Sequence, residues 1–483
     1  MTHTVTRSLP PKLVVSVLTV AAMFVSILDA TIVNVTLPAV GTTFGVPATA
    51  TDMVVAGYLV SAATVIPASG WLGDRFGERQ VFLFALALFT TASALCALAW
   101  SLPMLVGFRV VQGLGGGMLT PVAMSMLFRC FGLAERIRAA RVLVVPTALA
   151  PALGPVLGGL LVDVASWRWV FAVNLPIGVL AWMFGALFLV DRGKQAAGRF
   201  DVTGFLLAAT GLALVTFSLG EAASRGWGSA TVLACGVGGL VLIVILAAVE
   251  LGGAEPMLDL RLFGDRMFRT VTLVSLTSTA AFLGVLYVFP LTYQRVLGAS
   301  ATATGLTAFS EAIGVMVGAQ LAGRVYVAIG PRRQLALAVA AAAVAMVLFG
   351  LVDAATSPWV VRSILFGMGL AMGNVMHATQ TAAFATLPMA KTGVASALFN
   401  CGRQVGAALG VAVLSGVLAG PAVAAGSPGV PTLDGYRLAC VVAAGVMVVA
   451  AGLGLRVRDA DAASTLPGVK PESYAAEPAV VDE

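Results

Sequence analysis

Fourteen apolar runs, each about as long as a bilayer is thick, occupy most of this 483-residue chain. A hydrocarbon core about 30 Å thick is crossed by roughly 20 residues of helix. Backbone polar groups find no partners in lipid, so runs of this length predict helices. Charged residues make up only 10% of the chain, against about a quarter in soluble proteins. We therefore expect an all-α polytopic membrane protein, with spans at 13–37, 52–72, 80–100, 103–127, 141–162, 169–190, 203–221, 229–250, 268–290, 303–324, 334–353, 358–386, 393–419 and 435–455.

The basic residues predict the orientation of these spans. Of 28 lysines and arginines, 21 fall on the side of the N-terminus, four fall in the opposite loops and three lie inside spans. Cytoplasmic loops carry the excess of positive charge in membrane proteins. Both termini are therefore predicted to be cytoplasmic, and the opposite loops define a predicted outer side.

Two halves of the chain repeat each other. Pro103 opens a span that reaches Gly113 and Gly115, and Pro358 opens one that reaches Gly367 and Gly369, about 255 residues later. Repeated halves with a site between them are typical of alternating-access transporters. The predicted units are a cytoplasmic N-terminus (1–12), an N-terminal six-helix half (13–190), linkers with two inserted spans (191–266), a C-terminal six-helix half (267–456) and a disordered cytoplasmic tail (457–483).

Composition argues against several other classes of protein. The net charge is +6, but the basic residues are spread over short loops and form no patch for nucleic acid. The five cysteines are scattered without a metal-binding spacing, so neither a metal nor a cofactor is expected. A multispan enzyme would need a catalytic cluster in a substantial loop, and the loops are short. No catalytic residues are predicted.

Asp29 in the first span and Arg109 in the fourth are charged residues within membrane helices. Placing a charged side chain within the bilayer costs free energy, so such a residue indicates a functional site. Asp29 is eight residues before Leu37 and Arg109 six after Pro103, which places both about 9–12 Å from the outer boundary at 1.5 Å per residue. The equal depth predicts a pair. It could handle a proton, or it could be a static structural ion pair.

The loop after the second span reads GWLGDRFGER at 70–79. Its glycines permit a tight turn and close helix approach. Its aspartate could pair with an arginine or cap a helix, as a cytoplasmic latch that differs between two states of the protein. The alternative is a plain positively charged loop. The latch residues are Gly70, Asp74, Arg75, Gly77 and Arg79.

The fifth span is rich in proline and glycine. Small residues allow a partner helix to approach closely, and prolines bend the span. A flexible helix without further meaning is the alternative. The residues concerned are Pro151, Gly154, Pro155, Gly158 and Gly159.

These segments, with LDATIVNVTLP at 28–38 and RVVQGLG at 109–115, together resemble the major facilitator superfamily. Within it they resemble the fourteen-span drug:proton antiporters of the EmrB/QacA type, from about residue 13 to 456. The resemblance implies proton coupling through Asp29 and Arg109, and the fifth-span segment is found in antiporters. It also implies the cell inner (cytoplasmic) membrane. Glu78 departs from the usual basic residue and is expected to weaken the latch.

The interpretation as a transporter predicts substrate-cleft residues at Asn34, Gln112, Glu311 and Arg403. Glu311 lies midway along the tenth span, where it could attract a cation, bind a second proton or serve as a structural partner. Arg403 could bind an anionic group, balance Glu311 or be structural. The predicted function is proton-driven efflux of amphipathic or cationic drug-like compounds. The partners would be protons, a lipophilic small molecule and the bilayer. Export of a physiological solute, such as a siderophore, peptide or self-made antibiotic, is the alternative.

Overall fold

The structure is a computed structural model and describes residues 9–131, 150, 153–190, 200–226, 228–253, 259–387, 392–424 and 432–465. Every regular element among these residues is an α-helix or a 3-10 helix. The expectation of an all-α polytopic protein is thereby confirmed.

The N-terminal group of helices packs around α5, which contacts both α3 and α4. Ser101 begins α5 by accepting a hydrogen bond from the backbone of Met104, and Pro103 fits the first turn, where no amide donor is needed. The helices are α1 (Pro11–Ile32), α2 (Leu37–Phe44), α3 (Asp52–Phe76), α4 (Glu78–Ala97), α5 (Leu102–Cys130), α6 (Leu153–Val164), α7 (Arg168–Ala172) and α8 (Asn174–Phe188). Short 3-10 helices at Asn34–Thr36 and Ala48–Thr51 flank α2.

Two further helices, α9 (Val202–Arg225) and α10 (Ala230–Gly252), follow this group and pack on each other. Asp201 begins α9, because its Oδ1 accepts from the amide of Gly204 at 2.8 Å. Helix α9 also contacts α3 and α14. The inserted pair therefore lies along the line where these two helices meet.

The C-terminal group consists of long helices that pack mainly on one another. Aspartate and serine begin two of them, since Asp265 accepts from the amide of Phe268 and Ser300 from that of Ala303. The helices are α11 (Arg266–Arg295), α12 (Ala301–Gly350), α13 (Pro358–Ala383), α14 (Thr392–Ala424) and α15 (Leu433–Gly454). A 3-10 helix at Leu260–Gly264 precedes them and another follows at Asp459–Thr465.

Twelve helices among the described residues are long and apolar enough to cross a membrane. The predicted count of fourteen is therefore not confirmed. Two of the predicted spans, 303–324 and all but the last three residues of 334–353, fall within the single 50-residue helix α12. Much of the predicted span 141–162 lies outside the described residues, and its remainder is the short apolar helix α6.

Helix α12 is broken at Gly330, whose φ of 79° and ψ of 160° are not helical. Glycine adopts this conformation readily because it has no Cβ. Asp459 accepts from the amide of Arg332 at 2.9 Å and so begins the second part of the helix. The first residues of the predicted disordered tail thus form a 3-10 helix in which Ala462 is fully buried. Residues 466–483 of that tail lie outside the described part.

Candidate functional site

Asp29 and Arg109 form an ion pair inside the N-terminal group of helices. Nη1 of Arg109 lies 2.6 Å from Oδ2 of Asp29, and the side chains are 1% and 0% exposed. The structure brings together the two residues that the sequence placed at equal depth. A buried charge is tolerated when it is paired and hydrogen-bonded, which both of these are.

Two amides complete the surroundings of the carboxylate. Nε2 of Gln112 and Nδ2 of Asn174 each donate to Oδ1 of Asp29 at 2.9 Å. Gln112 also accepts from Nη1 of Arg109 at 2.8 Å, which fixes its orientation. Asn174 reaches Ser93 Oγ at 3.1 Å. Asp29 is therefore held by one cation and two amides from two helices, α5 and α8.

The guanidinium of Arg109 is held in place on its other sides. Its Nε donates to the carbonyl of Val54 at 3.1 Å, and its Cζ lies 4.3 Å from the ring centre of Tyr58. An aromatic face stabilises a desolvated cation by about 2 kcal/mol. The arginine is therefore stabilised even when the charge of Asp29 is removed. Protonation of Asp29 would leave a cation that still has partners.

Gln112 was a predicted cleft residue, and the structure places it in this ion-pair network instead of at an open surface. Asn174 was not predicted as a site residue. The only signal for it was its place in the segment entering the sixth span, and nothing in the spacing tied it to Asp29. Its side chain is fully buried, and Oδ1 has no hydrogen-bond partner among the described atoms.

The predicted latch loop forms an ion-pair cluster with the end of α5. Arg129 near the end of α5 lies 3.2 Å from Asp74 and 3.2 Å from Glu78. Glu78 also accepts from Ser125. The expected weakening by Glu78 therefore does not follow from its contacts, because its carboxylate adds a second acceptor to the same arginine.

The other latch residues take different positions. Gly77 ends α3 with a positive φ of 96°, and Nη2 of Arg79 donates to the carbonyl of Ala186 at 2.9 Å. Gly70 has open space where a Cβ would lie, so close packing does not explain it. Arg75 is exposed.

The described part of the proline- and glycine-rich fifth span, α6, packs closely against α1 on one side and α12 on the other. A Cβ on Gly154 or Gly158 would collide with Thr31 or with the backbone of Ile32 in α1. On its other side, a Cβ on Gly159 would lie 2.3 Å from the carbonyl oxygen of Ala301, at the start of α12. Pro151 lies outside the described residues.

Helix α12 approaches α6 equally closely, because a Cβ on Gly305 would lie 2.1 Å from the carbonyl of Pro155. The backbone amide of Thr302 donates to Asp163 at 2.7 Å in the same region. The α6–α12 contact is therefore a close seam between the N-terminal and C-terminal groups.

The remaining cleft candidates do not form a cluster. Glu311 is 7% exposed, and no described lysine or arginine lies within ion-pair distance of it. Arg403 donates to Asn400 at 3.3 Å, so the proposed balance between Arg403 and Glu311 is not an ion pair in this structure. Asn34 lies in the 3-10 helix after α1, and its Oδ1 is buried without a described partner.

A multi-span membrane protein with two packed groups of helices, a buried charge pair within one and a small-residue seam between them has the architecture of a transporter. Residues 19–411 match the sequence profile of the Major Facilitator Superfamily. The chain belongs to that superfamily, whose members are transporters rather than enzymes.

Several proteins named for multidrug resistance or transport resemble the chain over most of its length. It is 33% identical over 421 residues to a multidrug resistance protein B homolog of Mycobacterium tuberculosis (strain ATCC 25618 / H37Rv), covering 85% of this chain and 78% of that protein. It is 30% identical to the putative multidrug resistance protein MdtD of Serratia proteamaculans (strain 568), covering 86% and 88%. It is also 30% identical to the multidrug transporter protein MdtP of Bacillus subtilis (strain 168), covering 83% and 74%.

A solved structure shares the fold. The human organic anion transporter MFSD10 (TETRAN) superposes with a TM-score of 0.60 over 92% of this chain and 100% of that one, at 16% identity.

Proposed function

We propose that this protein is a proton-driven antiporter that exports amphipathic or cationic drug-like compounds from the cell by alternating access. The observation that carries the proposal is the buried Asp29, which accepts hydrogen bonds from Arg109, Gln112 and Asn174. The three relatives named above are described as multidrug resistance or multidrug transport proteins, which supports the class of substrate.

Proton coupling would work through exchange of partners at Asp29. While the carboxylate is ionised, Arg109 and the two amides stabilise it. A proton on the Asp29 carboxylate would replace its charge-assisted bond to Arg109. A rearrangement of α1 against α5 would then alter the balance between the inward-facing and outward-facing states. Each proton that enters moves with the membrane potential and contributes about 2.3 kcal/mol per 100 mV.

The close α6–α12 seam supports alternating access. Backbones that touch through glycine can separate and close again as rigid surfaces. We propose fourteen spans with both termini in the cytoplasm of the cell inner membrane. The broken helix α12 would count as two spans, and α6 with the residues preceding it as another.

Everted membrane vesicles test the proposal. Adding a cationic lipophilic compound should release protons from acid-loaded vesicles that contain the protein. Asp29→Asn keeps the shape of the side chain but cannot titrate, so it should abolish the release while substrate binding stays measurable. Full coupling in Asp29→Asn would remove this residue from the mechanism and refute the proposal as stated.

Glu311 would attract the positive charge of a substrate. Its side chain is buried in α12 without a described basic partner, so a cation in the cleft would compensate its charge. Glu311→Gln should then reduce export of cationic compounds and spare neutral ones. Equal loss of both classes would indicate a structural role.

Export of a physiological solute is the second candidate. The same proton site and seam would serve it, and Arg403, which has no acidic partner among the described residues, could receive an anionic group. A panel that includes anionic metabolites and cationic dyes, assayed in a host lacking its own pumps, separates the two.

A further inference from the structure

Another buried carboxyl, which is not bonded to the Asp29 network, lies at the predicted outer end of the molecule. Asp52 is the first residue of α3 and is 3% exposed. Its Oδ1 accepts from the amide of Met53 at 2.7 Å. The proposed proton site makes no use of it, and its own sequence context gave no reason to select it.

Hydrogen bonds connect Asp52 to the other group of helices. The hydroxyl of Ser415 in α14 forms a hydrogen bond with the carboxyl group of Asp52. Tyr287 of α11 forms side-chain hydrogen bonds with Ser415 and with Thr51, which precedes Asp52 in the chain. One carboxyl, two hydroxyls and a phenol thus form a buried cluster across the line where the two groups meet, which we call the Asp52 cluster (Thr51, Asp52, Tyr287, Ser415).

Other contacts show that the N-terminal and C-terminal groups of helices are packed against each other at the predicted outer end. Nη2 of Arg295 in α11 donates to the carbonyl of Pro38 at 2.6 Å, and Nε2 of Gln294 donates to that of Val35 at 2.9 Å. The Asp52 cluster therefore lies in a closed seam, shut off from water.

The charged groups around Asp52 do not compensate a negative charge. Glu221 of α9 is the charged side chain that acts on it from the inserted helices, and it is paired with Arg225 at 2.6 Å. Arg109 of α5 is committed to Asp29 and to the carbonyl of Val54. Among the described residues, no lysine or arginine forms an ion pair with Asp52.

Opposing effects act on the ionised form. The start of α3 and the amide of Met53 favour a negative charge, whereas burial in the closed seam and the charge of Glu221 oppose it. Opening the seam admits water and removes the burial, while the helix terminus stays. The closed state is therefore compatible with the neutral acid, and the open state with the carboxylate.

We infer that Asp52 is a second proton-binding site, which holds the predicted outer side closed when protonated and allows it to open when ionised. The carboxylate takes its proton from the outer solution and returns it there, so this proton is separate from the one that crosses the membrane. The inference rests on the proposed alternating access. An exporter must close its outer side before it changes to the inward-facing state. Protonation of Asp52 from the outer solution would produce this closure at that step of the cycle.

The test measures the separation of the two groups directly. Spin labels at Leu98→Cys, between α4 and α5, and at Ala355→Cys, between α12 and α13, lie on exposed residues of the two groups at the predicted outer side. The five native cysteines are first replaced in a background that still exports. Double electron–electron resonance in lipid nanodiscs then gives the distance between the labels from acidic to alkaline pH.

The distance should lengthen as pH rises in the parent protein, and it should stay short at every pH in Asp52→Asn. Asp52→Glu should restore the shift. The matched control Asp434→Asn, an exposed aspartate at the same end, should keep it. A parent without the shift, or an Asp52→Asn protein that keeps it, overturns the inference. A shift that depends on Asp52 in a protein without proton-coupled export would sustain this inference and refute the proposed function.

Discussion

Asn174 and Asp29, 145 residues apart in the chain, meet at 2.9 Å through Nδ2 and Oδ1. The amide brings α8 into the network that holds the buried carboxylate. It is neutral at all relevant pH, so it contributes a hydrogen bond without competing for the proton.

Removal of this donor should shift the pH profile of export. Asn174→Ala takes away one bond to an ionised group, worth about 1.5–3 kcal/mol. The ionised form of Asp29 is thereby destabilised, and the alkaline limb of the profile should move to higher pH. Transport of a fluorescent substrate into everted vesicles measures this. Asn374→Ala, which breaks the bond to Gln334 in the C-terminal group, is the matched control. Coincident profiles for both variants and the parent would argue against a role for Asn174.

Loss of Arg109 should destabilise the protein more than loss of the pair. Arg109→Ala leaves a buried, uncompensated carboxylate, which costs about 3–5 kcal/mol. Adding Asp29→Asn removes that charge, so the double variant should unfold at a higher temperature than Arg109→Ala alone. Thermal unfolding in detergent measures the difference. A double variant that is less stable than either single variant would mean that the two residues do not act as a unit.

The α6–α12 seam should not tolerate a methyl group. Gly305→Ala places a Cβ about where the carbonyl oxygen of Pro155 lies, so the helices must separate. We expect lower export and a lower unfolding temperature. Gly367→Ala in α13 has open space around it and should behave like the parent. Equal behaviour of the two variants would show that the seam adapts without cost.

The ion pairs of the predicted latch loop should affect turnover more than stability. Asp74 and Arg129 are 36% and 39% exposed, and a pair so exposed contributes only about 0–1 kcal/mol to folding. Asp74→Asn should slow export at saturating substrate while the binding constant is unchanged, because it alters the balance of two states. Arg437→Gln, in the exposed pair with Asp434, is the control. Unchanged turnover at normal expression would reduce Asp74 to a surface charge.

Reporter fusions test the orientation and the span count together. Fusions after Pro47 and Gly228 should report an external location, and a fusion after Lys194 an internal one. Pro47 lies within the first half, Lys194 precedes the inserted helices and Gly228 lies between them. Reversal at any of them would contradict the fourteen-span arrangement.

The sequence predicted the helical class and the Asp29–Arg109 pair because both follow from one-dimensional rules. Span length is set by bilayer thickness, and depth along a helix is a count of residues. Helix α12 shows the limit of such counting, since Gly330 joins two predicted spans without a long loop. The side of a helix that meets a given neighbour is not set by depth alone.

Asn174 and Asp52 show why the rest of the site was not predicted. Asn174 lies at the start of a helix, where a polar residue is usual, and only the packing of α8 against α1 gives it a role. Asp52 lies at the predicted edge of the bilayer, where a carboxylate is ordinary in a sequence. Its burial depends on α14, which is more than 300 residues away in the chain.

The inserted helix α9 makes the two lines of contact between the groups unequal. Along one line, α9 lies over α3 and α14 and separates them from the surroundings. Along the other, Leu160 of α6 and Leu306 of α12 are 47% and 45% exposed, so that line faces the acyl chains directly. Within the described residues, apolar side chains along the α6–α12 seam are therefore open to lipid, whereas α9 covers the α3–α14 line.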